Sequence, residues 1–235
     1  MKINSVVNKS TNISFPTFKA KEYAIAKTFV NGKTIPLNLF EINSLDTGFL
    51  DLMSSKIDFR KFDVFQNSTL SQLKQCKNML NNSIMMVGFN SPQKSFLLTT
   101  EKKRPCGIIT YNNFQDNCNL DYLISWAPEN GKRIKYAGTT LLKVLYDDIL
   151  KTNAKVISLT TAACTPGDLV KFYTQFGFKQ PENLCKVINR NVGVDMVAFR
   201  KDLSVKAQEL SKFVEIEEVQ KPRTLNLRNI LDINY

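Results

Sequence analysis

Leu120-Asp121-Tyr122-Leu123-Ile124-Ser125-Trp126-Ala127-Pro128, the basic run Glu129-Asn130-Gly131-Lys132-Arg133-Ile134-Lys135 and then Tyr136-Ala137-Gly138-Thr139-Thr140-Leu141-Leu142-Lys143-Val144-Leu145 form the stretch that decides the fold. The first segment is short, apolar and rich in aromatics, and Pro128 ends it, which predicts a strand. The last places Leu141, Leu142, Leu145 and Ile149 at helical spacings, with Lys143, Asp147 and Asp148 on the other side, which predicts a helix. A strand, a basic loop and a helix in that order leave free backbone N–H groups at the helix start. Gly138 permits close approach there, and Lys132, Arg133 and Lys135 stand beside it, a setting for a phosphate or pyrophosphate. An ordinary connection with a solvated basic loop has the same local pattern, so the surrounding chain has to discriminate.

Downstream, residues 156–160 predict a second strand, and strand, helix, strand at this spacing is a βαβ unit with two parallel, adjacent strands. Residues 168–176 follow as a short helix stopped at Gly177. Strands are expected near 186–189 and 194–200, and 205–213 has a helical pattern. Upstream, alternating runs at 23–30 and 33–42 flank Asn31-Gly32, the signature of a hairpin with a type I′ turn, and Pro36 marks an edge position or a break in the second strand. Asn43 or Ser44 caps a helix over 45–56 whose apolar face is Leu45, Phe49, Leu52 and Met53, and Ser68 caps another over 69–80. Residues 84–89, 95–100 and 106–111 read as three closely spaced strands, an antiparallel meander.

Composition narrows the chemistry. A chain of 235 residues, 43% of them hydrophobic, buries one sizeable core. Its apolar runs are too short to cross a bilayer and its first residues lack the apolar segment of a signal peptide, so a cytoplasmic protein without a membrane partner is expected. Five dispersed cysteines with no CxxC pair argue against a disulfide framework or a zinc site, and no metal is expected. The absence of histidine removes the commonest general base and the Ser-His and Cys-His nucleophile pairs. The net charge of +11 fits a polyanionic cofactor at the 132–135 cluster, a nucleic-acid or acidic partner, or plain solubility.

Arg133-Ile134-Lys135-Tyr136-Ala137-Gly138-Thr139-Thr140-Leu141-Leu142 resembles the acetyl-CoA loop of the GNAT superfamily of N-acetyltransferases, with Tyr136 where the first loop glycine stands. Ile124-Ser125-Trp126-Ala127-Pro128 falls where the family's preceding strand ends. The segment Leu169-Val170-Lys171-Phe172-Tyr173-Thr174-Gln175-Phe176-Gly177-Phe178 is similar to its second signature, a helix ending in Tyr-x-x-x-Gly-Phe. Two signatures in order, with a strand between them, are more specific than either one.

The resemblance implies an α+β, GNAT-like fold: a mixed, largely antiparallel central sheet with one parallel βαβ step, flanked by helices. Residues 36–203 would form the acetyltransferase domain, 1–35 an arm with the first hairpin strand, and 204–235 an extension. It implies acetyl-CoA as co-substrate and transfer of the acetyl group to a primary amine by direct attack on the thioester. Tyr173 would protonate the departing sulfur. The backbones of Trp126 and Ala127 would face the thioester and pantetheine, and Tyr136, Ala137, Gly138, Thr139 and Thr140, with Arg133 and Lys135 as charge partners, would hold the pyrophosphate. Asp121 is the candidate base, with water or a relayed proton as alternatives. A small-molecule or protein amine is the expected acceptor, and a monomer or homodimer the expected state. The rival reading is an inactive module on the same scaffold that binds acyl-CoA or nucleic acid.

Overall fold

The computed structural model describes residues 18–89, 93–128, 132–162, 168–181 and 193–221. In chain order these form β1 (Lys21–Val30), β2 (Lys33–Glu41), α1 (Thr47–Lys56), α2 (Leu70–Val87), β3 (Gln93–Thr100), β4 (Pro105–Phe114), β5 (Asn117–Ser125), α3 (Ala137–Leu150), β6 (Val156–Thr160), α4 (Leu169–Gln175), β7 (Asp195–Phe199), α5 (Arg200–Ser211) and β8 (Val214–Glu218). One sheet contains all eight strands in the order β7-β6-β5-β4-β3-β2-β1-β8. Every neighbouring pair is antiparallel except β5 and β6. The mixed α+β fold with one parallel step is therefore as the sequence implied.

Strand alternation splits the apolar residues between two cores. Leu39, Phe96, Leu98 and Ile109 face one side, with Leu141, Leu145 and Ile149 of α3 and Leu203, Ala207 and Leu210 of α5. Phe40, Leu97 and Ile108 face the other, with Phe49, Leu50 and Met53 of α1 and Cys76, Leu80 and Ile84 of α2. Helices thus cover both faces, and a three-layer body fixes β5 and β6 in the middle layer.

Several local expectations change. Residues 84–87 are the last turn of α2, not a strand, because Cys76, Leu80, Ile84 and Val87 continue one helical stripe that is buried throughout. The meander is therefore β3, β4 and β5. Thr69, not Ser68, caps α2, through a reciprocal pair with Gln72. Asn43 caps a short 3-10 turn ahead of α1, leaving Leu45 66% exposed while Leu50 takes its place inside. The hairpin turn has positive φ at both Asn31 and Gly32, as a type I′ turn requires. β2 is an interior strand, yet Pro36 lies one residue past the stretch of β2 paired to β3, where its missing N–H breaks no ladder on that side. The strand expected near 186–189 lies outside the described residues.

Side chains tie the outer helices down. The Arg200 guanidinium donates to the carbonyls of Ile149, Leu150, Thr152 and Ala154 at 2.6–3.1 Å, closing the C-terminus of α3. Lys77 of α2 does the same for α1, donating to Ser54 and Ile57 carbonyls. Tyr111 and Lys94 both donate to Asp148, joining α3 to the sheet.

Candidate active site

β5 and β6 pair over three positions only, Asn117 with Val156 to Asn119 with Ser158, and then separate. The separation begins where β5 carries a bulge: Thr110 lies opposite Tyr122 and Tyr111 opposite Leu120, so Asp121 is the extra residue. The bulge also reverses which residues face which core. Cys118 and Leu120 face the α3 side before it, and Leu123 faces that side after it, while Ile124 packs toward α2. A cavity of about 480 Å³ opens at this point, lined by β5 from Leu120 to Ser125, by the end of β6, by the loop and first turn of α3, and by α4.

The loop presents donors to that cavity. Tyr136 is the N-cap of α3 and adopts φ 67° and ψ 12°, the left-handed conformation a glycine would take, and its side chain makes no cap bond. A left-handed non-glycine costs about 1–2 kcal/mol. The Tyr136 ring packs on Phe213 at 5.1 Å between centroids, with the Lys135 ammonium 5.1 Å from its centre, and these contacts offset the strain. In the first turn, Ala137 donates to the Ile134 carbonyl, and Thr140 donates both its N–H and its hydroxyl to the Tyr136 carbonyl. Among the described residues, the N–H groups of Gly138 and Thr139 have no acceptor. Two adjacent free donors at a helix N-terminus, beside exposed Arg133 and Lys135, fit a pyrophosphate. A Cβ on Gly138 would meet Leu123, Phe172 and Ser125 at 3.7–3.9 Å, so any larger side chain enters the cavity.

Tyr173 comes from α4, which packs beside the start of α3 and also lines the cavity. Phe178 donates to the Tyr173 carbonyl and Gly177 to that of Thr174, the paired bonds of a Schellman stop, with Gly177 at φ +94°. The reversal drives Phe178 into the core under Tyr146, whose hydroxyl donates to the Phe176 carbonyl at 2.6 Å. This turn therefore fixes Tyr173 at the cavity wall. Burial pushes the Tyr173 phenol well above its ordinary range, so it holds its proton, and no described residue bonds its hydroxyl.

Asp121 also lines the cavity. Its carboxylate accepts from the side-chain amides of Gln93, Asn112 and Asn119, one from each of β3, β4 and β5. Three neutral donors hold its orientation, and no described Lys or Arg forms an ion pair with it.

The structure thus brings Asp121, Arg133, Lys135, Tyr136, Ala137, Gly138, Thr139 and Tyr173 to one cavity. Trp126, Ala127 and Thr140 are not in its wall. Trp126 and Ala127 belong to the core on the α2 side, and the Trp126 N–H donates to the Cys106 carbonyl at 2.9 Å, which leaves only its carbonyl to present. Ladder alternation from that bond turns the N–H groups of Leu123 and Ser125 toward the parted β6 instead. Those two donors need the observed pairing to be found, as does the apolar wall of Phe59, Phe65, Cys76 and Met79.

No family model and no curated protein matches the chain. Among solved structures it is similar to the PaiA N-acetyltransferase of Thermoplasma acidophilum in complex with coenzyme A, at 14% identity and TM-score 0.48 over 69% of this chain and 98% of that one. It is likewise similar to aminoglycoside 6'-acetyltransferase type Ii, at 14% and 0.48 over 69% and 96%, and to mutant forms of the spermidine/spermine N-acetyltransferase SpeG of Vibrio cholerae, at 18% and 0.47 over 73% and 98%. The chain's own features, a parallel β5–β6 pair parted beside Asp121, a basic loop entering α3 and the turn from Tyr173 to Phe178, match the mixed α+β arrangement with one parallel step that the sequence resemblance implied.

Proposed function

We propose that the chain is an acetyl-CoA-dependent N-acetyltransferase acting on a primary amine. The observation that carries this is the pair of free N–H groups at Gly138 and Thr139 opening onto a cavity that also holds a protonated phenol and a carboxylate. Bound acetyl-CoA supplies its acetyl group as a thioester, which a neutral amine attacks at the carbonyl carbon so that the C–N bond forms and the C–S bond breaks. Gly138 and Thr139, with Arg133 and Lys135, hold the pyrophosphate. The Leu123 and Ser125 N–H groups, aimed into the opening, bond the pantetheine arm or the carbonyl oxygen as it gains charge. Asp121, or water beside it, takes the proton the amine loses. Tyr173 donates to the sulfur as the thiolate leaves, and its phenolate is refilled from solvent, since burial disfavours the charged form. Direct transfer needs no enzyme nucleophile, so a chain without histidine can perform it.

Calorimetric titration with acetyl-CoA, wild type beside Gly138→Glu, tests the site. Micromolar binding by the wild type, lost in a mutant with unchanged circular dichroism, is expected, because the new side chain places bulk and negative charge among the donors. Thiol release with a panel of primary amines then tests transfer. Binding with no release from any amine would leave an acyl-CoA-binding module.

A further inference from the structure

Resting on the acetyl-transfer reading above, we infer that the acceptor is a monoamine carried on an aromatic or apolar body, not a polyamine. The cavity has a basic part and an apolar part, which meet where Arg133 comes within electrostatic reach of Cys76. The loop supplies Arg133 and Lys135. The apolar wall comes from the 3-10 turns between α1 and α2, which supply Phe59 and Phe65, and from α2, which supplies Cys76 and Met79. Phe59, Phe62 and Phe65 pack on one another at 5.4–6.4 Å between centroids, two of the three pairs edge-to-face, so the wall is rigid.

Acid is scarce at this wall. Among the described lining residues Asp121 is the only one, and it already accepts from three amides. Asp58, on the same turns, is held by Arg60 through a two-pronged pair at 2.7–3.1 Å, and Asp63 does not line the cavity. A polyamine would bring further ammonium groups to an apolar wall that has the Arg133 cation beside it and Lys135 in the same cavity, where none would regain the solvation it gave up. A single amine on an aromatic body meets the opposite conditions: its ring replaces water against Phe59, Phe65 and Met79, and its one nitrogen reaches the region of Asp121. The net charge of +11 works in the same direction, since it lowers the local concentration of polycations.

The test is thiol release from acetyl-CoA by the wild-type chain with phenethylamine or spermidine at equal ionic strength, run beside the acetyl-CoA titration. A kcat/KM at least about ten-fold higher for phenethylamine is expected, the range one apolar group earns in a pocket. Spermidine equal or better overturns the inference. So does acetyl-CoA binding with neither amine acetylated, which leaves the nucleotide site standing; absence of acetyl-CoA binding overturns the transfer reading as well. Phe65→Leu keeps most of the volume and should narrow the preference several-fold, and Met79→Asp should move it toward spermidine. If both variants fold and neither moves the ratio, the wall is not the acceptor site.

Discussion

A hydroxyl that no described residue bonds makes Tyr173 a clean place to separate chemistry from stability. Tyr173→Phe removes one oxygen that no described residue bonds, so the melting temperature should hold within about 2 °C while kcat falls by roughly 100-fold, the usual scale of a lost proton donor. Burial raises this phenol above its ordinary 10.0, so it stays protonated throughout the range where enzymes are assayed. The rate should therefore show no decline below pH 10 that disappears in Tyr173→Phe, and finding one would contradict the buried setting. Two glycines make a second contrast. A Cβ on Gly193 would come 1.9 Å from the Thr161 carbonyl, at the rim of the cavity, where Val194 and Thr161 are bonded together. Gly193→Ala should cost about 1–3 kcal/mol in denaturant unfolding. Gly138→Ala meets only ordinary contacts, so it should leave stability unchanged or higher and weaken acetyl-CoA binding alone.

Arg200 shows what a single side chain does for an element. Its guanidinium answers two carbonyls at the end of α3 and two in the chain just beyond it, and the first turn of α3 forms the proposed pyrophosphate site. Arg200→Ala leaves those groups to water or to no partner, at a cost of about 2–3 kcal/mol. Calorimetry should show a fall in melting temperature of roughly 4–12 °C, with Arg200→Lys in between because an ammonium cannot fork to several acceptors at once. Nothing near residue 150 or residue 200 announces this bond, because its two sides are some fifty residues apart in sequence. Local features were legible. The strand, loop and helix from Leu120 to Leu150 and the stop at Gly177 all depend on neighbours within a few residues. Residues 84–87 misled because a short apolar run fits a strand or a buried helix turn equally well, and only the packing of α2 on the sheet decides it. The bulge at Asp121 and the Phe59–Phe65 wall escaped for the reason Arg200 did: each exists only once distant strands or helices are in place.

At the scale of the whole molecule, β8 closes one edge of the sheet against β1, and its Glu218 accepts from Tyr23 of β1 and from Lys151, the residue that caps the end of α3. Burial and the Glu218 bond push the Tyr23 phenol from 10.0 up to about 12. The folded state keeps that proton where an unfolded chain has released it, so the stabilisation is complete below pH 10 and is lost as pH climbs toward 12. Unfolding curves across that interval should fall steeply for the wild type and less so for Tyr23→Phe. The exposed edge of β8 carries Glu215, Glu217 and Glu218, charges that discourage pairing with another chain. Ending the chain after Phe213 strips this cover and leaves β1, with Ile25 and Phe29 already partly exposed, as a bare edge; light scattering should report association that the full chain does not show.

The β1–β8 pairing also sets a timetable. Lys27 and Glu217, joined across it, are 190 residues apart. At ordinary translation rates of about 5–20 residues per second, the hairpin of β1 and β2 waits roughly 10–40 s on the ribosome before the strand that covers it has been made.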